Sequence, residues 1–376
     1  MIPFNRAEIG GRELALLTDV LSRGHVSGNG PMTERVERLL EVIHGTGRSL
    51  LTTSCTHALE MSARLLRLEP GDEIIVPSYT FVSSAGAFLM HGCRPVFVDV
   101  REDTLNIDFD QVVDALSPRT KAICIVHYAG VAAEPDRFAE LCQERGIILI
   151  EDNAHGLFGK FRDRPLGTFG SMSTMSFHET KNITCGEGGA LHLNDERLVQ
   201  RAEILREKGT DRSRFFRGEV DKYTWVDVGS SWVLSDLLAG VLLGQLERWE
   251  QIQARRAAVW SRYASELSEW AQSNGIRLPR IPDGADHPAH LFHLRLQSGA
   301  DRDRFIQMLK RNDVNSVFHY QALNLSEIGR RLGGRLGQCP VSEDASETLV
   351  RLPLHLGMSD IDVDRVVSSV MQFDSE

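Results

Sequence analysis

Between residues 50 and 210 short apolar runs alternate with stretches of helical periodicity, and this alternation restricts the fold more than any other property of the chain. The runs at 73–77, 95–100, 122–127 and 147–151 are too short for helices and are bounded by turn formers, as strands are. Helical patterns are expected at 56–68, 83–91, 136–145 and 196–208, and two further runs, 171–177 and 189–193, read as buried strands. Strands and helices in alternation call for a mostly parallel sheet wrapped by helices, because a parallel connection needs a crossover long enough to be a helix. Ligands of such folds lie beyond the carboxyl ends of the strands, so the residues directly after each run are the ones to read for function.

Four such places carry chemistry. After the first run, Thr52-Thr53-Ser54-Cys55-Thr56-His57 leads straight into a helical pattern, and hydroxyls with free backbone N–H groups at a helix start suit either a simple N-cap or a phosphate. Pro77-Ser78-Tyr79-Thr80-Phe81 places aromatics at a strand end, where a ring either joins the core or stacks on a planar ligand. In Glu151-Asp152-Asn153-Ala154-His155, strand alternation puts the two carboxylates on opposite faces and leaves Asp152 at the mouth of the sheet. Lys181 sits in the Gly-rich link between the last two strands, and a lysine that loses hydration there can give up its proton and attack a carbonyl.

The rest of the chain sets bounds. With 376 residues it has room for a large domain at 1–250 and a smaller one at 251–376, where the pattern resets through Pro279, Pro282 and Pro288. Helical patterns are expected within 10–45, in one long stretch at 235–270, and at 302–310 and 362–371, with strands at 291–296 and 316–320. Lys and Arg number 42 against 52 Asp and Glu, a net charge of −10 without a basic patch, which argues against nucleic acid and anionic membranes as partners. No run of 18 apolar residues exists to span a membrane, and Met1-Ile2-Pro3-Phe4-Asn5-Arg6 does not look like a secretory leader, so the cytoplasm is the expected compartment. The six cysteines show no CxxC pair and imply reduced thiols without a metal site; Cys55 and Cys185, in Gly- or Ser-rich loops, are either reactive thiols or small fillers.

Taken in order, these pieces resemble the fold type I pyridoxal-phosphate enzymes and, among them, the DegT-type sugar-nucleotide aminotransferases. The resemblance runs from Pro3-Phe4-Asn5 through Ser27-Gly28-Asn29-Gly30-Pro31 and the stretches above to Arg351-Leu352-Pro353-Leu354-His355. It implies an α/β large domain with a mostly parallel seven-stranded sheet flanked by helices, a smaller α+β C-terminal domain, and a homodimer. It implies pyridoxal 5'-phosphate as cofactor and L-glutamate as amino donor. Lys181 would bind the cofactor's aldehyde as an imine and shuttle the proton of the transfer, and Asp152 would face the pyridinium nitrogen, whose charge would hold the carboxylate ionised. Phe81 matches the stacking aromatic, Cys55, Thr56 and Ser176 the phosphate contacts, and His155 stands where many relatives have Gln beside the phenolic oxygen. Ser231 takes the place of Asn in a triplet that reaches across the dimer to the partner's phosphate.

Within the family the stretch from Arg206 to Trp225 is similar to the 4-aminotransferases of dTDP-4-dehydro-6-deoxyglucose. This implies dTDP-4-amino-4,6-dideoxy-D-galactose as product for surface polysaccharide or related glycans, with the gluco epimer or another nucleotide keto sugar as alternatives. The substrate residues implied are Ser27, Gly28 and Asn29 of a flexible loop, Arg212, Arg217, Tyr223 and His319. The stretch holds Arg206, Arg212, Arg214 and Arg217 beside Phe215, Phe216 and Tyr223, a composition suited to a diphosphate and a base or sugar ring. Pyridoxal-type sugar dehydratases of this fold replace the lysine by His, and a non-catalytic cofactor-binding regulator would lack Lys181 or carry a DNA-binding segment; Lys181 speaks against both. No GxGxxG follows an early strand, which removes a dinucleotide fold.

Overall fold

Seven strands form the central sheet of the computed structural model, which describes residues 1–374. They are β1 (Arg48–Thr52), β2 (Glu73–Pro77), β3 (Arg94–Val98), β4 (Thr120–Val126), β5 (Ile148–Asp152), β6 (Met172–Ser176) and β7 (Gly189–Leu193). Their order across the sheet is β1-β7-β6-β5-β4-β2-β3. The five strands from β3 to β6 are mutually parallel, and β7 runs antiparallel to both β1 and β6. The alternation legible in the sequence therefore yields the expected mostly parallel sheet.

Both faces are covered, which is why the strands read as continuous apolar runs. Ile74 and Val76 of β2, Cys124 of β4 and Ile150 of β5 join one core with Leu59, Phe88 and Leu205 from helices Cys55–Leu65, Ser83–Leu89 and Glu196–Arg206. Their sequence neighbours Ile75, Ile123, Ile125 and Leu149 join a second core with Val112 and Phe138 on the other face. Helices Gly11–Arg23 and Pro31–His44 pack on helix Asp236–Leu246, over Met175, Phe177 and Ala190 of the β6–β7 region.

A further core gathers Tyr263, Phe292, Phe305, Val350 and Val363. It is built from helices Trp249–Glu266, Gly299–Arg311 and Asp360–Val370 on an antiparallel ribbon of Phe292–Arg295 with Leu349–Leu352. Two segments cross between the cores. Ile2 belongs to this C-terminal core and bridges to Val314, while Leu323 and Cys339 return to the core of the large sheet.

Two expectations are corrected. The pattern at 235–270 is three helices, Asp236–Leu246, Trp249–Glu266 and Ser268–Ser273. The first is buried on nearly all sides beneath the N-terminal helices, and the chain turns at Glu247 and Arg248, whose side chains tie Arg35 and Glu13, before the second helix leads to the other core. No strand forms at 316–320; only Val317 bridges, to Arg351, and the segment then turns back to the large sheet, where Asn324 accepts from Ser78 Oγ at 2.7 Å. Among the described residues no helix is long and apolar enough to cross a membrane.

Candidate active site

A cavity of about 590 Å³ opens beyond the carboxyl ends of β4, β5 and β6 and is walled on the far side by residues of the C-terminal third. Asp152, the last residue of β5, is buried in its floor. Ser84 Oγ donates to Asp152 Oδ2 at 2.7 Å and the Ala154 amide donates to Oδ1 at 3.2 Å. Burial pushes this carboxyl up, against the pull of Ser84, Ala154 and Lys181; a cation set against it would reverse the balance. Glu151 points to the opposite face, as alternation requires. It accepts from the amides of Gly167, Phe169 and Gly170 at 2.7–2.8 Å and from His127 at 2.9 Å. Burial would raise its carboxyl, but His127 and the amides outweigh it and hold it low. Two adjacent acids thus divide into one that builds the sheet and one that faces the cavity.

Lys181 reaches the same cavity from the loop between β6 and β7. The loop is closed by Phe177 N to Gly188 O at 2.8 Å and Cys185 N to Phe177 O at 3.0 Å. The next residue, Asn182, anchors it to the C-terminal third through Pro288 O at 2.7 Å and His290 Nδ1 at 2.9 Å. Burial lowers the Lys181 amine from 10.5 to about 8, opposed by Cys55 and Asp152.

A third corner holds Ser54, Cys55 and Thr56 at the start of helix Cys55–Leu65, with Ser83 and Ser176 beside them. Ser54 Oγ caps the helix through the His57 amide at 3.1 Å, and Thr56 and Ser83 share a 2.7 Å hydroxyl contact. Strand β7 passes so close that a Cβ on Gly189 would lie 2.3 Å from the Ser54 carbonyl carbon, so glycine is what lets strand and helix start meet. Phe81 is 54% exposed, an unusual state for a core ring and the one needed for a stacking surface; its centroid lies 6.1 Å from that of Tyr320.

The remaining wall is made of imidazoles and phenols. The Ala129 amide donates to His155 Nδ1 at 3.3 Å, which places the His155 proton on Nε2, facing the Tyr320 hydroxyl at 3.2 Å. His290 stacks on His155 at 4.2 Å, and Tyr128 Oη meets His319 Nδ1 at 2.8 Å. Burial holds His155, His290 and His319 well below the usual imidazole range, so this wall is neutral. The thiols of Cys55 and Cys185 are pushed up by burial, the latter to about 12, which makes both small fillers at neutral pH.

The structure brings Cys55, Thr56, Phe81, Asp152, His155, Ser176, Lys181 and His319 to one cavity. It does not bring Ser27, Gly28, Asn29, Arg212, Arg217, Tyr223 or Ser231 to the cavity of their own chain. The loop of Ser27, Gly28 and Asn29, expected to be flexible, is pinned: Asn29 accepts from Arg206 at 2.9 Å and donates to Glu207, and a Cβ on Gly28 would strike Val233. Arg217 pairs with Glu203 at 2.8 Å and Glu219 at 2.6 Å, Arg212 lies over the Phe216 ring at 5.1 Å, and Tyr223 is exposed. Ser231 is exposed and bridges to Glu207. Residues of the cavity that sequence reasoning left without a role are Ser83, His290, Tyr320 and Arg351, with Ser84 behind Asp152. Arg351 alone carried a local mark, a charge inside the apolar run Leu349-Val350-Arg351-Leu352.

An amine with a lowered pKa, a carboxylate, a hydroxyl-rich helix start and a half-exposed ring, all around one cavity, suit a flat cationic ring that bears an aldehyde and a phosphate. Similarities to known proteins agree. TlmJ, an aminotransferase of Streptoalloteichus hindustanus, is 33% identical over 99% of this chain and 98% of its own, with a TM-score of 0.90. Spr1654 of Streptococcus pneumoniae, provisionally named a sugar aminotransferase and solved in its PMP form, is 28% identical over 99% of this chain and 98% of its own, with a TM-score of 0.91. DesV of S. venezuelae, solved with a ketimine intermediate, is 29% identical over 96% of this chain and 93% of its own, at 0.88. Residues 7–371 match one family throughout, and the chain belongs to it: the DegT/DnrJ/EryC1/StrS aminotransferase family, whose members transfer amino groups with pyridoxal phosphate.

Proposed function

We propose that this aminotransferase moves the amino group of L-glutamate to the keto carbon of dTDP-4-dehydro-6-deoxy-D-glucose, giving dTDP-4-amino-4,6-dideoxy-D-galactose for surface polysaccharide or a related glycan. In this reading it works in the cytoplasm as a homodimer, with residues 1–250 holding the cofactor and 251–376 closing over it. Bound in the cavity, pyridoxal phosphate supplies an aldehyde and an electron-accepting ring. Lys181, whose amine titrates at about 8, takes a proton from the amino-bearing carbon of the donor at Nζ and gives one to the carbon that receives the amine. Asp152, aimed by Ser84 and the Ala154 amide, would set a negative charge against the ring nitrogen. The hydroxyls of Thr56, Ser83 and Ser176 and the free amides of the helix start would hold the phosphate. Phe81 would cover one ring face, while neutral His155, with its proton on Nε2 beside Tyr320, offers polarity without charge.

The observation that carries the sugar-nucleotide reading is the segment from Arg212 to Trp225. It exposes Phe216 at 69%, Tyr223 at 52% and Trp225 at 74%, with Arg212 stacked on Phe216, on a protein whose other large rings are mostly buried. Aromatic faces and guanidinium groups together suit a base and a diphosphate. Since this segment stands away from the cavity of its own chain, we assign it, with Ser27–Asn29 and Ser231, to the site of a second copy. Some of the neighbouring structures act on sugars by name, which supports the same direction.

The test is a coupled assay with glutamate and a panel of nucleotide keto sugars, with the product identified by mass and NMR. Preference for a uridine-linked sugar, or an amine at the 3-position, overturns the substrate. Subunits carrying Lys181→Ala mixed with subunits carrying Tyr223→Ala and Trp225→Ala are expected to regain activity; free exchange without recovery overturns the shared site.

A further inference from the structure

Arg351 projects from the ribbon strand Leu349–Leu352 into the wall of the cavity that also holds Lys181. Its guanidinium carbon lies over the Phe4 ring, 4.7 Å from the centroid, and Nε and Nη2 both donate to one carbonyl, Phe318 O, at 3.3 and 2.9 Å. These contacts fix the plane of the group and use two of its five N–H bonds. Most other half-buried or buried arginines end on acids, among them Arg206 on Glu37 at 2.6 Å, Arg248 on Glu13 at 2.8 Å, Arg201 on Asp227 at 2.9 Å, and Arg295 on Asp344. Of those without an acid, Arg256 is satisfied by the carbonyls of Ala289 and His290, and Arg64 donates to the carbonyl of Val228 at 2.9 Å. Arg351 has no carboxylate partner among the described residues. A preoriented cation with open N–H groups in a half-dry cavity is costly to keep unless a ligand anion completes it.

We propose that Arg351 recognises the carboxylate of the amino donor, and that its open edge is what makes an α-amino acid, rather than a simple amine, the donor. This rests on the aminotransferase reading above and deepens it. The choice of a carboxylate over the diphosphate of the acceptor follows from bond counts. In an α-amino acid the carboxylate is one carbon from the carbon whose proton Lys181 must reach, so both must be bound within one small cavity. In a nucleotide sugar the diphosphate is separated from a 4-keto carbon by the width of the sugar ring, and the cavity's 590 Å³ is already shared with the cofactor. Arg351 and Lys181 lie close enough for the guanidinium charge to weigh on the lysine amine, which fits a shared substrate. Phe4, Leu352 and Leu354 line the same cavity, and neither of its acids, Asp152 and Glu187, forms an ion pair with Arg351.

The experiment compares the two halves of the reaction separately in the holoenzyme, by the visible band of the cofactor: amino donor in one, amino sugar in the other. Charge-assisted hydrogen bonds of this kind correspond to roughly 10- to 200-fold in affinity. Arg351→Gln is expected to lose kcat/KM for glutamate within that range and far more than it loses with the amino sugar; Arg351→Lys, with charge but without the fork, is expected to fall between. Phe4→Leu, which removes the platform and keeps the charge, is expected to cause a smaller loss of the same kind. As a readout without turnover, calorimetric binding of glutarate to the holoenzyme is expected to weaken in Arg351→Gln by a similar factor, while binding of dTDP is not. Unchanged glutarate binding, equal loss in both halves by Arg351→Lys, or a loss confined to the amino sugar and dTDP overturns the proposal, the last result moving Arg351 to the diphosphate. A wild-type enzyme that converts no keto sugar but still shows the arginine-dependent glutamate half would sink the sugar reading and leave this one standing.

Discussion

Lys181 offers a prediction whose size follows from the structure. Burial brings its amine from 10.5 to about 8. At pH 7 roughly one molecule in ten then carries the free amine, against about one in three thousand for an ordinary lysine, a ratio of roughly 300. Capture of an aldehyde proceeds through the free amine, so in cofactor-free protein Lys181 is expected to outpace exposed lysines by that order at pH 7, and by only about twofold near pH 10.5. The assay is timed exposure to pyridoxal phosphate between pH 6 and 10, borohydride reduction, and peptide mapping, with exposed Lys160 and Lys208 as internal standards. The rate at Lys181 is expected to inflect near pH 8, and Lys181→Ala to remove the fast label from a protein that still folds. Asp152 raises the lysine amine, so Asp152→Asn is expected to move the inflection lower. An inflection near pH 10 at Lys181, or first labelling at Lys160 or Lys208, refutes the reasoning.

Two predictions concern stability. Glu151→Ala leaves three buried amides and His127 without their acceptor, and is expected to cost about 3–5 kcal/mol in urea unfolding; a cost under about 1 kcal/mol would show that water replaces the carboxylate. His192, stacked on His44 at 4.2 Å and bonded to Ser49 at 2.9 Å, is pushed down to about 3 by burial and by His44. Its folded value lies below its unfolded one, so the unfolded chain binds the extra proton and stability is lost as pH falls from about 6.5 toward 3, by about 1.4 kcal/mol per pH unit from this group alone. His192→Asn is expected to flatten that slope whatever it does to stability at pH 7, and an unchanged slope between pH 6 and 4 would assign the acid sensitivity elsewhere.

Much of the large sheet was legible because each strand is buried on both faces and announces itself as an apolar run. The Glu151 and Asp152 pair could be sorted by alternation alone, since a strand offers only two faces. Lys181 was legible because a lysine between two buried strands has few places to go. The walls from the C-terminal third were not: Tyr320, His290 and Arg351 reach Lys181 only through tertiary folding, and nothing in their immediate neighbours reports on a cavity formed with residues more than a hundred positions away. The segment at 316–320 looked like a strand because β-branched and aromatic residues favour one, yet His319 and Tyr320 are there to line a cavity rather than to pair. The long pattern at 235–270 hid its breaks because a helix that is apolar on nearly all sides runs almost directly into an amphipathic one, so the helical pattern continues while the core it faces changes.

The way both chain ends are woven through the two cores has a consequence for the order of assembly. Ile2 lodges in the C-terminal core, Phe4 lies under Arg351, and the core of the large sheet is completed by Leu323 and Cys339. Contacts of such long sequence separation form late, after loop closure has been overcome. A ribosome that has released Lys181 has therefore still to make the residues that dry it, and until they dock the amine keeps its water and its proton. Lys181 is expected to gain its lowered pKa only once His290, Tyr320 and Arg351 have docked, so products truncated before them are expected to carry the lysine with an ordinary amine.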